Sequence, residues 1–196
     1  MPITYTNRKG FTYVLNKGVT KTGKPRYYFA REQKGEPVEE IPAGYEIEES
    51  VNAVVSLVKA RPQIIHPEET AVVEAAVRRH PKARNYRVAV KHDQIIIYER
   101  IGPDADALMD IFSQFAVFTP QRSKEHVEDF LDRSAQFTPI MRFILDDPEQ
   151  REYHAERWCY RGSIDDWIYA GYSGKIDKLV KTLAPKLGTD DFFELY

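Results

Sequence analysis

Apolar and polar residues alternate through most of the first sixty positions. Phe11, Tyr13 and Leu15 alternate with Thr12, Val14 and Asn16, and Arg26-Tyr27-Tyr28-Phe29-Ala30 is a second run rich in aromatics. Tyr45–Glu48 and Ala53–Val58 read as two further short strands. Lys17-Gly18, Thr22-Gly23 and Ile41-Pro42-Ala43-Gly44 are turn candidates, and Glu32–Glu40 is a polar loop. Connections this short cannot carry parallel crossovers, so residues 1–58 are predicted to form a small antiparallel sheet.

Beyond Arg61 the period changes. His66-Pro67-Glu68-Glu69 opens a helix, with proline near its first position and acids in its first turn. Val72, Val73, Ala76 and Val77 form its apolar stripe, and Pro81 stops it. Arg87–Val90 and Gln94–Tyr98 make a hairpin across His92-Asp93. A helix from Pro103 to about Phe118 follows, with Ala105, Leu108, Met109, Phe112, Phe115 and Ala116 at helical spacing. Ser123 caps another, with Val127, Phe130 and Leu131 inward.

A second hairpin runs from Ile140 to Arg161 across the turn Asp146-Asp147-Pro148-Glu149. Met141, Phe143 and Leu145 form its apolar face. Ser163, followed by Asp165 and Asp166, is read as the cap of a short helix reaching Ala170, with Gly171–Gly174 as a loop. Ile176, Leu179, Val180 and Leu183 make the stripe of a last helix, and the apolar tail Phe192–Tyr196 is expected to dock. Paired strands with helices between them indicate an α+β fold. The expected order is a small antiparallel N-terminal sheet over 1–58, then an α-ββ-αα-ββ-αα module over 59–196, as two domains or one continuous one.

Composition narrows the class. The 196 residues are 42% hydrophobic and 30% charged, as in an ordinary globular protein. One cysteine, Cys159, cannot form an internal disulfide, which fits a reducing cytoplasm. The opening residues are too polar for a secretory leader, and no run is apolar enough for a membrane span. The net charge of −2 hides an asymmetry: residues 1–31 hold seven cations and no acid, whereas residues 32–50 hold seven glutamates against Lys34. The chain therefore has a basic arm followed by an acidic one.

Two places could carry chemistry. Arg8, Lys9, Lys21, Lys24 and Arg26 can meet phosphates, and Tyr27 and Tyr28 offer faces for stacked bases. The same rings also suit an ordinary strand, and the glutamates that follow can neutralise the cations across strands. The second place is His154, Glu156, Arg157, Arg161, Asp165 and Asp166, where a histidine among carboxylates can bind a divalent ion or move a proton. Helix capping by Asp165 and Asp166, and ion pairs to Arg157 and Arg161, explain the same residues structurally. Cys159 reads as a small buried hydrophobe. His66, His80, His92 and His126 lack metal-ligand spacing, no phosphate-binding glycine loop occurs, and no cofactor or dedicated metal site is implied.

Asn7-Arg8-Lys9-Gly10, Thr20–Phe29, Ile41–Ile47, Arg142-Phe143, Glu156–Trp167 and Phe192–Leu195 together resemble an uncharacterised family of bacterial proteins. The resemblance implies a bacterial, cytoplasmic protein and brings no activity or catalytic residue with it. Three functional expectations follow. The first is a non-catalytic module binding nucleic acid through the N-terminal sheet. The second is a protein-interaction component or homodimer, suggested by 12 tyrosines and 10 phenylalanines. The third is a metal-dependent enzyme using His154, Glu156, Asp165 and Asp166.

Overall fold

The computed structural model describes residues 1–32, 34–102, 108, 128, 131–160 and 164–195. The fold is α+β, and the chain divides into two compact units, Met1–Arg61 and Pro62–Tyr196.

Unit 1 is built from six strands: β1 (Thr4–Thr6), β2 (Thr12–Val19), β3 (Pro25–Ala30), β4 (Glu36–Pro37), β5 (Tyr45–Glu49) and β6 (Val55–Lys59). β1, β2 and β3 form an antiparallel sheet that β4 joins on β2, while β5 and β6 pair separately. Lys17-Gly18 is not a turn. Both residues lie inside β2, paired with Tyr27 and Arg26, and the reversal comes later, where the Thr20 carbonyl accepts the Gly23 amide at 2.9 Å. Gly23 takes a positive φ of 75°, which explains glycine at that tip. Leu15 is fully buried at the centre of the unit.

Unit 2 is a five-stranded antiparallel sheet in the order β11-β10-β9-β8-β7. Its strands are β7 (Tyr86–Lys91), β8 (Gln94–Ile101), β9 (Gln136–Asp147), β10 (Glu152–Cys159) and β11 (Asp166–Gly174). Helices α1 (Pro67–Arg78) and α2 (Ile176–Leu183) pack on each other; α1 also meets β7, and α2 meets β10 and β11. Short 3-10 turns follow both helices, and α3 (Asp190–Phe193) comes last, two residues before the end of the described chain. Period two explains the core: Tyr153, Ala155, Arg157 and Cys159 are all buried, and the residues between them are half-buried. Tyr153 and Ala155 join one core cluster with Met141, Phe143, Leu145, Ile95 and Ile97, together with Val73 and Val77 of α1 and the stripe of α2. Val72, assigned to the α1 stripe from sequence, is instead 37% exposed. Phe192 and Leu195 are buried, so the tail docks.

The end of the second hairpin departs from expectation. Asp166–Ala170 is strand, not helix, and Gly171–Gly174 continues β11 rather than forming a loop. The capping signal around Ser163 is local, and Ser163 itself lies outside the described residues, as do Gly162 and Arg161. Cross-strand pairing wins because Trp167 sits opposite Trp158, and their rings meet edge to face with centroids 5.2 Å apart. A bulge opposite Ala155 takes up the extra residues, with Gly171 at a φ of 77°. The helices expected over Pro103–Phe118 and from Ser123 fall almost wholly outside the described residues; Leu108, Glu128 and 131–134 are helical.

Candidate functional site

In unit 1 the predicted basic residues separate into two groups. Arg8 is compensated: Glu49 lies 3.8 Å from its Nε and accepts its backbone amide at 3.1 Å. Glu49 also accepts the Tyr5 hydroxyl at 3.0 Å, and that bond raises the phenol's pKa. Lys9 is half-buried, with its amide donating to Asn7 Oδ1. Lys17 pairs loosely with Glu36 at 4.0 Å. Lys21, Lys24 and Arg26, at the tip and second rung of the β2–β3 hairpin, are exposed, and among the described residues no carboxylate forms an ion pair with them.

The two tyrosines point to opposite faces of β3. Tyr27 turns towards Tyr45, 6.3 Å between centroids, and lines a groove of about 370 Å³ with Glu36 and Glu40. Lys17, opposite Tyr27, lines the same groove, whereas alternation along β3 puts Arg26 on the other face. Tyr28 lies across the other face. A methyl group on Gly18 would meet its ring at 3.4 Å, and one on Gly35 would lie 2.9 Å from its hydroxyl and 2.8 Å from the Lys17 carbonyl. Two residues without side chains thus let the half-buried ring lie against the sheet. The Arg26 guanidinium stands 6.0 Å from the ring centre, and Arg31 stacks 3.9 Å over the exposed ring of Phe11.

In unit 2 alternation divides the second predicted cluster. His154 and Glu156 share the sheet face away from the helices. Arg157 lies on the core face, 4% exposed, donating to the Leu195 carbonyl at 2.8 Å and the Phe193 carbonyl at 2.9 Å. It is not ion-paired to the hairpin aspartates; its role is to hold the C-terminal segment. Asp165 accepts the Trp158 indole N–H at 3.1 Å, and Asp166 accepts the Trp167 amide at 2.7 Å. Neither caps a helix.

Two residues outside the predicted cluster, Asp146 and Arg142, complete the strip. Asp146 accepts from His154 Nδ1 at 2.7 Å, and Arg142 Nε donates to Glu156 at 2.6 Å. His154 Nε2 stands 3.4 Å from the other Glu156 oxygen, and the Arg142 guanidinium lies 4.4 Å over the Trp167 ring. The pairings Ile144↔His154 and Arg142↔Glu156 are what align them, and the hairpin register is the signal that could have found them. Each charge here has a partner. Cys159, the one thiol, is buried on the far face. Among the described residues no group of three or more His, Cys, Asp or Glu is placed to hold a metal ion.

A third feature gave no motif in the sequence. A cleft of about 820 Å³ opens between the C-terminal half of α1 and the segment from α2 to Thr189. Its walls come from residues 72–82 and 177–189, which are close only after α1 packs on α2. No helix among the described residues is long and apolar enough to cross a membrane. Comparison of the chain with protein-family models, curated proteins and solved structures finds no significant match.

Proposed function

We propose that unit 1 is a non-catalytic module that binds single-stranded nucleic acid along the β2–β3 hairpin. The observation that supports this reading is Tyr28, whose ring edge and hydroxyl lie close against Gly18 and Gly35 with the Arg26 guanidinium 6.0 Å from the ring centre, and Lys21 and Lys24 exposed at the adjoining tip with no ion pair among the described residues. A ring held against a sheet is a stacking surface for an unpaired base, and cations around it meet the backbone phosphates. Tyr27 belongs to the acidic side and takes no part.

The test is fluorescence anisotropy of a labelled single-stranded oligonucleotide. Three phosphate contacts give a slope of about −2 in log affinity against log salt, so raising salt from about 50 to about 200 mM weakens binding roughly twentyfold. Lys21, Lys24 and Arg26 changed together to Ala remove most of that salt dependence. Tyr28→Ala loses about 1–3 kcal/mol, and Tyr28→Phe retains most of the affinity. Absence of binding at low salt, or a Tyr28→Ala variant that binds like the parent, defeats the proposal.

A separate observation favours a second reading, a protein contact through unit 2. Tyr160, Ile164 and Tyr169 are 61, 47 and 50% exposed around β11, the edge strand of its sheet. Light scattering that finds a dimer converted to monomer by Tyr169→Glu supports it; a monomeric parent removes the homodimer.

A further inference from the structure

We infer that the α1–α2 cleft of unit 2 is a binding site for a small amphipathic carboxylate, a medium-chain fatty acid in chemical class. Its volume of about 820 Å³ falls within the roughly 300–1,000 Å³ of small-molecule sites. Its floor is apolar, where Val180, Ala184 and Leu187 of the core come to the base of the cleft, and Val72, Ala76 and Pro185 add apolar surface at its sides. Such a surface accepts a hydrocarbon body.

Charge selects the other end of the ligand. Arg79, Lys82 and Lys181 line the cleft and are exposed, and no ion pair links any of them to a carboxylate among the described residues. Arg79 donates from Nε to the Ala75 carbonyl at 3.0 Å, a bond that anchors its stem without neutralising it. Among the described residues Asp177 is the one acid in the lining, and it sits in the first turn of α2, where the helix dipole favours it. The balance at the mouth is positive and suits an anion.

The polar corner is already built. His80 Nε2 donates to the Leu187 carbonyl at 3.1 Å, and its Nδ1 accepts the Lys82 amide at 3.1 Å. Both nitrogens are engaged, so the ring fixes the wall and leaves anion recognition to the cations. An acidic amphipathic helix is the competing occupant. However, α2 has eight residues and is only about 12 Å long at 1.5 Å per residue, too short a rail for a helix of several turns.

The test is titration of the full chain with decanoate, using decan-1-ol as the uncharged control, by calorimetry and by amide chemical shifts. Saturable one-to-one binding of decanoate is expected, with shifts concentrated at Val72, Ala76, Val180 and Leu187. Ala76→Phe fills the cleft and is expected to weaken both ligands at least tenfold. Lys82→Glu with Lys181→Glu, both on the surface, keeps the fold and is expected to weaken decanoate about tenfold while sparing decanol. Circular dichroism confirms that each variant is folded. The inference fails if decanoate does not saturate, if the shifts map elsewhere, if the charge reversals leave decanoate affinity unchanged, or if only an acidic helical peptide binds.

Discussion

Replacing Glu69 by Gln isolates the contact that ties the start of α1 to the β9–β10 turn. The Glu69 carboxylate accepts the His66 amide at 2.8 Å, closing the first turn of the helix. It also accepts Arg151 Nε at 2.8 Å and a second bond from Arg151 Nη2. The same Nη2 reaches the Ile64 carbonyl at 3.1 Å, and Arg151 holds a φ of 52° to do so. The two side chains are only 12% and 21% exposed.

Burial alone would raise the Glu69 pKa. Arg151, the His66 amide and the Tyr153 hydroxyl together outweigh it and bring the pKa from an ordinary 4.5 down to about 2. At about 1.4 kcal/mol per pH unit this corresponds to roughly 3 kcal/mol, and solvent access to the pair reduces it to about 2 kcal/mol. The folded state holds fewer protons than the unfolded chain between these two values. The stabilisation is therefore fully present above about pH 4.5 and is lost as pH falls towards 2. Both tryptophans, Trp158 and Trp167, lie in unit 2, so urea unfolding followed by indole emission reports on this unit. Glu69→Gln is expected to cost about 2 kcal/mol at neutral pH, with the difference shrinking steadily below pH 4.5. A double-mutant cycle with Arg151→Met should recover about half of that cost as coupling. A loss below about 0.5 kcal/mol, or one equally large at pH 7 and pH 3, refutes the reasoning.

Gly188→Ala is expected to destabilise unit 2 by about 1–3 kcal/mol, because φ is +68° and the new methyl would lie 2.7 Å from the Tyr86 hydroxyl; a thermal melt within error of the parent contradicts this. Tyr86 cannot step aside freely, since it is buried and donates to Glu99 at 3.1 Å, and burial followed by that carboxylate keeps its phenol protonated far above the usual range. Arg157→Met removes both donors that hold the Phe193 and Leu195 carbonyls, so hydrogen exchange at Phe192–Leu195 should speed up at least tenfold, as loss of about 1.4 kcal/mol or more would give. Unchanged protection there means that the burial of Phe192 and Leu195 holds the segment alone.

What was legible in the sequence is what local chemistry decides. His66-Pro67-Glu68-Glu69 marks the start of α1, and Met141, Phe143 and Leu145 mark a face that is indeed buried. The partner of Glu69 was not legible, because Arg151 lies 82 residues along the chain. Asp165 and Asp166 carry the composition of a helix cap, but the pairing of Trp167 with Trp158 turns the segment into strand. Arg157 was grouped with polar neighbours, although its place in the alternation puts it on the core side. At the candidate nucleic-acid surface the pattern gave Arg26 and Tyr28 but took Gly18 for a turn. The position of that glycine beneath the ring depends on the register of β2 with β3.

The sheet of unit 2 is a simple meander with one long detour. β8 and β9 lie side by side, with Ile101 opposite Gln136, although residues 102–135 come between them in the chain. Each flanking hairpin, β7–β8 and β9–β10, closes across a tight turn and can form early from local contacts. Zipping the two hairpins together must instead close the detour, at an entropic cost of about 3 kcal/mol before any side chain is buried. That seam is consequently where the folding barrier belongs. Substitutions along it, at Ile97 or Met141, should slow refolding, whereas those at the outer strands should chiefly accelerate unfolding.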